Sequence, residues 1–133
     1  MERQHYQFGV NLDSLAEAFQ GSEEVLGQML ALFVTQAPQR QAEMSAALDK
    51  DSPETARRAL HSLVNIAGAI RAYGLAELAK VVGECLKNGE VDRAKDLARE
   101  LADEAERVLR QVEAMRKALE VGPSVLWKSR LST

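Results

Sequence analysis

Cysteine is nearly absent from this 133-residue sequence, which contains Cys85 alone. A single cysteine cannot form a disulfide within the chain, and one cysteine with two histidines argues against a structural zinc site. The sequence therefore predicts no metal and no cofactor. This cysteine usage fits the reducing environment of the cytoplasm, which is where we expect the protein.

Long apolar runs and excess positive charge are also missing. No uninterrupted apolar run approaches the ~20 residues that a membrane-spanning helix needs, and the N-terminus lacks the apolar core of a signal peptide. The formal net charge is -3. Surfaces that bind nucleic acid need clustered Lys and Arg in excess. We therefore expect a soluble protein whose partners are proteins, with no nucleic acid and no membrane among them.

Strand-like alternation of apolar and polar residues does not occur, whereas apolar residues at helical spacing fill most of the chain. A chain of this length with 46% hydrophobic residues can bury the core of one domain. Start and stop signals predict five helices: Leu12 to Phe19, Ser22 to about Lys50, Pro53 to Gly74, Leu75 to about Lys87, and Val91 to Gly122.

Local signals at the helix ends support this division. Asn11 can cap the first helix, Pro53 stands at the first position of the third, and Pro38 should bend the second. The last helix keeps a heptad of apolar residues, which suits packing at shallow angles. The sequence thus predicts an all-α fold, an antiparallel up-and-down four-helix bundle with a short additional N-terminal helix.

Three regions follow from this interpretation. Residues 1–10 form an N-terminal extension, residues 11–121 form the bundle, and residues 122–133 form a C-terminal tail. Trp127 lies in that tail, which we expect to be loosely ordered or to serve as an interaction stub. Cys85 lies on an apolar helix face and is expected in the core, and His5 has no neighbours typical of a site.

The stretch from Ala56 to Gly74 is the most informative part of the sequence. Its apolar residues recur at spacings of three and four and form one stripe that faces the core: Ala56, Leu60, Leu63, Ala67 and Ile70. His61 lies beside this stripe and is expected to be exposed. Its neighbours on the helix surface are small, polar or basic: Arg57, Arg58, Val64, Asn65 and Gly68. This arrangement is typical of a reactive histidine on an open helix face.

The stretch resembles the histidine-containing phosphotransfer (Hpt) domain of bacterial multistep phosphorelays. The family pattern is an apolar residue, the phosphorylated histidine, a small residue, Leu, Lys, Gly and further small residues. This chain supplies Leu60, His61, Ser62, Leu63, Ala67, Gly68 and Ala69. The resemblance extends over roughly Leu12 to Leu119, because the order and lengths of the helices also match.

The resemblance implies a phosphocarrier. His61 would accept a phosphoryl group from a receiver-domain aspartate and pass it to another receiver, so the partners would be response-regulator receiver domains and a hybrid sensor histidine kinase. An exposed neutral imidazole needs no neighbouring base, and the loose transition state needs mainly alignment. The receiver would supply most of the catalysis, and we therefore expect no enzyme activity of the chain's own.

Two positions depart from the family pattern. Val64 and Asn65 stand where relatives have Lys and Gly, so the usual cation beside the phosphate is missing. Arg57, Arg58, Lys80 and Lys87 are the possible substitutes. Asn65 could hydrogen-bond the imidazole, and Gly68 could give a docking receiver the clearance that the nearer glycine usually provides, or could permit tight packing within the bundle.

Two other interpretations remain open at this point. The same bundle could be a non-catalytic module that docks a receiver or kinase without carrying phosphate, which the departures at Val64 and Asn65 would favour. A helical adaptor unrelated to phosphorelays could instead dimerise through the heptad of the last helix. The adaptor interpretation leaves the surroundings of His61 unexplained.

Overall fold

The computed structural model describes residues 8–128, and His5 lies outside that range. Six helices occur within it: α1 Leu12–Phe19, α2 Glu23–Asp49, α3 Pro53–Ala69, α4 Tyr73–Lys87, α5 Val91–Val121 and α6 Pro123–Lys128. No strand is found between residues 8 and 128. The predicted all-α class is confirmed.

Helices α2 to α5 form a closed ring. Helix α2 packs against α3 and α5, and α4 packs against the same two helices from the other side. The chain therefore runs up and down around one core, as predicted. The largest fully buried side chains come from every helix of the ring and from α1 and α6, and they include Phe33, Leu60, Leu63, Leu78, Leu101 and Leu126.

The three turns of the ring share one hydrogen-bonding pattern. At each turn, a residue with positive φ follows the helix and the next residue donates its N–H to a carbonyl five residues back, as in a Schellman motif. The three bonds are Ser52 N–H to Ala47 O at 2.8 Å, Ala72 N–H to Ala67 O at 2.9 Å and Glu90 N–H to Cys85 O at 2.8 Å. The positive-φ residues are Asp51, Arg71 and Gly89.

The end of α3 was predicted wrongly. The helix stops at Ala69 rather than at Gly74, because Arg71 adopts a left-handed conformation with φ of 63° and turns the chain. Gly74 instead lies buried in the first turn of α4. This early stop shortens α3 to 17 residues and leaves His61 at its middle.

The expectation of a loosely ordered tail around Trp127 was also wrong within the described range. Pro123–Lys128 forms α6, which packs on α5 and buries Leu126 and Trp127. Residues 129–133 lie outside the described residues. Pro38 is contained within the continuous helix α2, and the predicted bend there stays a prediction. The boundaries of the three regions also remain predictions.

The chain before α1 is held against α5. The N–H of Gly9 donates to Glu104 Oε2 at 2.6 Å, and the N–H of Val10 donates to Gln111 Oε1 at 2.8 Å. Glu104 is the one buried charged side chain among residues 8–128, and Arg107 pairs with its other carboxylate oxygen. These bonds satisfy a carboxylate that would otherwise be costly to bury.

Candidate functional site

His61 lies at the middle of α3 on the face that points away from the core. The buried residues of α3 occupy the opposite side of the helix, and His61 is exposed. Its side chain makes no hydrogen bond or ion pair with any residue in the range 8–128. The imidazole is therefore free to meet a group brought by another molecule.

The exposed stripe around His61 is formed by residues at helical spacing. Arg58 lies one turn before His61 and Asn65 one turn after it, and both are exposed. Neither side chain has a hydrogen-bond partner in the described part of the chain. Val64 is half-buried and packs against the core cluster, so its apolar side chain forms one wall of the stripe.

Gly68 continues this stripe toward the C-terminus of α3. Seven residues correspond to nearly two turns, which brings Gly68 to within about 20° of His61 around the helix. A Cβ at Gly68 would meet no atom of residues 8–128 within 4 Å. Tight packing inside the bundle is therefore no reason for glycine at this position.

The four candidate cations differ in how they are engaged. Arg57 pairs with Glu54 at 3.5 Å across one turn of α3. Arg58, Lys80 and Lys87 are exposed and form no ion pair with residues 8–128. Three cations without an ion pair to residues 8–128 therefore lie on these two helices, Arg58 on α3 and Lys80 and Lys87 on α4.

The antiparallel arrangement of α3 and α4 places Lys80 and Lys87 at different heights relative to His61. Measured from Arg71 in the connecting turn, His61 lies ten positions back and Lys80 nine positions forward, so both stand at about the same height. Lys87 lies seven positions beyond Lys80, which is about 10 Å further along the axis at 1.5 Å per residue. Lys80 is therefore the better placed of the two to reach toward His61.

The orientation of α4 brings Lys80 to its α3 side. Burial is the main cause that raises the pKa of the Cys85 thiol, and Arg93 and Glu90 at the start of α5 also act on it, so Cys85 lies near the start of α5. Gly83 is two residues earlier and lies about 160° away around the helix, on the flank of α4 that is opposite to α5. A Cβ at Gly83 would meet nothing within 4 Å, and Lys80 lies one turn before it. The sequence analysis did not predict that Gly83 leaves this part of α4 open, although a glycine inside a predicted helix was a usable signal.

The described residues were also compared with the requirements of a metal site, a reactive thiol and a membrane-spanning helix. Between residues 8 and 128 no three His, Cys, Asp or Glu side chains come together in a way that could hold a metal ion. Burial raises the pKa of the Cys85 thiol, which lies in the core as predicted. Within the same range, no helix combines the length and the apolar character that crossing a membrane requires.

Comparison with known proteins identifies the family. A model of the Hpt domain matches residues 28–120, which contain α3 and His61. The chain belongs to the Hpt domain family. The Hpt family consists of histidine phosphotransfer carriers of phosphorelays, and Hpt proteins interact with receiver domains of response regulators or kinases. The family resemblance of the His61 stretch is thereby confirmed.

A solved structure supports the assignment. The chain is similar to histidine-containing phosphotransfer protein B (HptB) from Pseudomonas aeruginosa PAO1, with a TM-score of 0.72 and 25% sequence identity. The match covers 81% of this chain and 94% of the other. A search of curated proteins found no match. The Hpt fold is thus supported by a family model and by a solved structure.

Proposed function

We propose that His61 is the residue that carries the phosphoryl group between receiver domains. One observation supports this most strongly: of the two histidines in the chain, only His61 falls within the range that matches the Hpt model. It is also exposed at the middle of α3 and has no partner among the described residues. The donor is an aspartyl phosphate of one receiver, and the acceptor is an aspartate of another.

The transfer needs little from this chain beyond position. A lone pair of an imidazole nitrogen forms the N–P bond while the P–O bond to the donor aspartate breaks, and the bonding electrons leave with the carboxylate. The second ring nitrogen retains its proton, and the reverse steps deliver the group to the acceptor aspartate. Because the transition state is loose, alignment and charge stabilisation dominate, and the receiver's own lysine and metal provide them. We therefore do not assign enzyme activity to the chain itself.

The phosphoryl group on His61 needs a cation that Val64 cannot supply. Lys80 is the preferred substitute, because it stands at the height of His61 and on the α3 side of α4. Arg58 precedes His61 by one turn and is the next candidate, whereas Arg57 is held by Glu54 and Lys87 lies further along the axis. Charge-assisted hydrogen bonds to phosphate are stronger than neutral ones.

Asn65 and Gly68 complete the proposed site. Asn65 lies one turn after His61, where its side-chain amide can bond the imidazole or the phosphoryl group. Gly68 keeps the face open toward the end of α3, since no side chain there would limit the approach of a receiver. Glycine inside a helix costs about 1 kcal/mol relative to alanine, and no contact with residues 8–128 offsets that cost.

A second candidate function rests on the replacements at Val64 and Asn65. The domain could dock a receiver or a hybrid sensor histidine kinase without carrying phosphate. Both functions place the partner on the same face and the protein in the cytoplasm, where receivers act. The two functions differ in whether a phosphoryl group is transferred to His61.

Phosphotransfer from a labelled receiver separates the two functions. A panel of receiver domains from hybrid histidine kinases and response regulators is charged with radiolabelled acetyl phosphate and mixed with the purified chain. Label that moves to this chain, resists base, is lost in acid and then passes to a second receiver supports the carrier. Receivers that bind the chain without transferring label would support the docking module instead.

A further inference from the structure

Two residues other than glycine have positive φ between residues 8 and 128: Asp51 with 54° and Arg71 with 63°. Each follows the C-cap residue of a helix in the same Schellman motif, a position that strongly favours glycine. A left-handed backbone is unfavourable for any other L-residue, although Asp tolerates it better than Arg. The arginine at this position therefore needs an explanation.

The side chains of these two residues differ in their contacts. Asp51 is exposed and has no partner in the described range. Arg71 is half-buried, and its guanidinium donates to Ala69 O at 2.9 Å and lies 5.7 Å from the ring centroid of Phe19 in α1. Its backbone carbonyl accepts the N–H of Asn11, the residue that caps α1, at 2.9 Å. Arg71 thus joins both ends of α1 to the end of the histidine helix.

This junction lies within reach of a partner docked on His61. A protein interface of ordinary size buries about 800 Å² on each side, which corresponds to a patch with a radius of about 16 Å. Arg71 follows His61 by ten residues, or about 15 Å at 1.5 Å per residue. Gly68 and Arg71 therefore fall inside the patch or at its rim, and α1 adjoins the rim through its contacts with Arg71.

We propose that Arg71 is a positioning residue for receiver docking. It holds α1 across the end of α3, so that α1 and the open surface at Gly68 form one continuous face with His61. Leu15 and Ala16 anchor α1 in the core. The contact of Arg71 with Phe19 and the bond between Ser14 Oγ and Tyr73 Oη at 2.7 Å attach the exposed side of α1 to the turn between α3 and α4. The inference rests on the proposed phosphotransfer through His61.

Glycine substitution separates the backbone from the side chain. Arg71→Gly suits the left-handed backbone but removes the guanidinium, whereas Asp51→Gly suits the backbone and removes no described contact. Phe19→Leu is the third variant, because it removes the aromatic ring from α1 while the charge of Arg71 stays. Each variant is assayed for thermal midpoint and for the rate of label transfer across a range of concentrations of one receiver that labels the wild-type chain.

We expect Asp51→Gly to raise the midpoint and leave transfer unchanged. Arg71→Gly should remain folded and raise the half-saturating receiver concentration about three- to tenfold, with the saturated rate within about twofold of wild type, the pattern of weakened docking. Phe19→Leu should act in the same direction. The proposal fails if Arg71→Gly leaves the half-saturating concentration unchanged, or if Phe19→Leu leaves it unchanged while Arg71→Gly raises it. Failure of every receiver to label the wild-type chain would instead overturn the proposed function itself.

Discussion

The indole N–H of Trp127 donates a hydrogen bond to Glu23 Oε2 at 2.9 Å, although the two residues lie 104 positions apart. Glu23 begins α2 and also accepts the N–H of Gly21 at 2.9 Å. The bond from Trp127 holds α6 beside the first turn of α2, and the bond from Gly21 fixes the Glu23 carboxylate there. They also connect the protonation of one carboxylate to the packing of the only tryptophan in the chain.

The attachment of α6 should therefore depend on pH. The Gly21 N–H and the Trp127 indole hold the pKa of Glu23 below its ordinary value of 4.5. A lowered pKa means that this stabilisation is complete above pH 4.5 and is lost as the pH falls through the lower pKa of the folded state. Trp127 fluorescence should change in that acidic range. In Glu23→Gln the change should be smaller, whereas Glu24→Gln should behave as wild type; equal acid responses in all three would contradict the prediction.

The buried carboxylate of Glu104 should stabilise the fold through the segment before α1. Glu104→Ala leaves the Gly9 N–H without its acceptor and Arg107 without its partner, which should lower the free energy of unfolding by about 1–3 kcal/mol. Urea denaturation measures this difference. Glu106→Ala is the control, because Glu106 pairs with Arg110 on the surface and such pairs contribute about 0–1 kcal/mol. Similar losses in both variants would exclude the role assigned to Glu104.

Replacing Gly68 should separate stability from docking. Gly68→Gln introduces a better helix former into open space, so the thermal midpoint should hold or rise while transfer from a receiver is lost. Gly27 in α2 is the matched control, because a Cβ there also meets nothing within 4 Å and the residue lies away from His61, beside α5. Gly27→Gln should keep transfer. A Gly68→Gln protein that loses several degrees of midpoint yet still transfers label would place the docking face elsewhere.

Moving a positive charge from α4 to α3 tests which residue replaces the lysine of the family pattern. Lys80→Ala should weaken the stabilisation of phosphohistidine, and adding Val64→Lys should restore it from the histidine helix. The gain from Val64→Lys is limited to about 1–2 kcal/mol, because the site is exposed. The half-life of the labelled protein and the transfer equilibrium report the effect. If neither quantity changes in Lys80→Ala but both change in Arg58→Ala or Arg57→Ala, the cation comes from α3.

The elements that local chemistry determines were predictable, and those that depend on tertiary contacts were not. Helix α5 begins and ends within one residue of its predicted limits. Asn88-Gly89 ends the preceding helix, and Gly122-Pro123 ends α5 itself. The end of α3 was missed because Arg71 is held in a left-handed turn by contacts with α1. Helix α6 was missed because six residues are too short for a helix without the burial of Trp127.

The candidate site divides in the same way. The exposure of His61 and the open stripe around it follow from helical periodicity within α3, and the structure has the same arrangement. The position of Lys80 at the height of His61 could not be predicted from the sequence, because it depends on how α4 packs on α3. The open space at Gly68 could not be predicted either, because it depends on the packing of the whole bundle. The sequence alone allowed a packing role for this glycine as well.

Labelling of the His61→Gln protein tests the central claim most directly. The substitution is on the surface, so circular dichroism and the thermal midpoint should hardly change, with a cost within about 0.5 kcal/mol. The wild-type chain and the variant are incubated with the same phosphorylated receiver, and acid-labile label is measured and located by mass spectrometry. We expect label on His61 in the wild-type chain and none on the variant. Acid-labile label that persists on a folded His61→Gln protein would contradict the account.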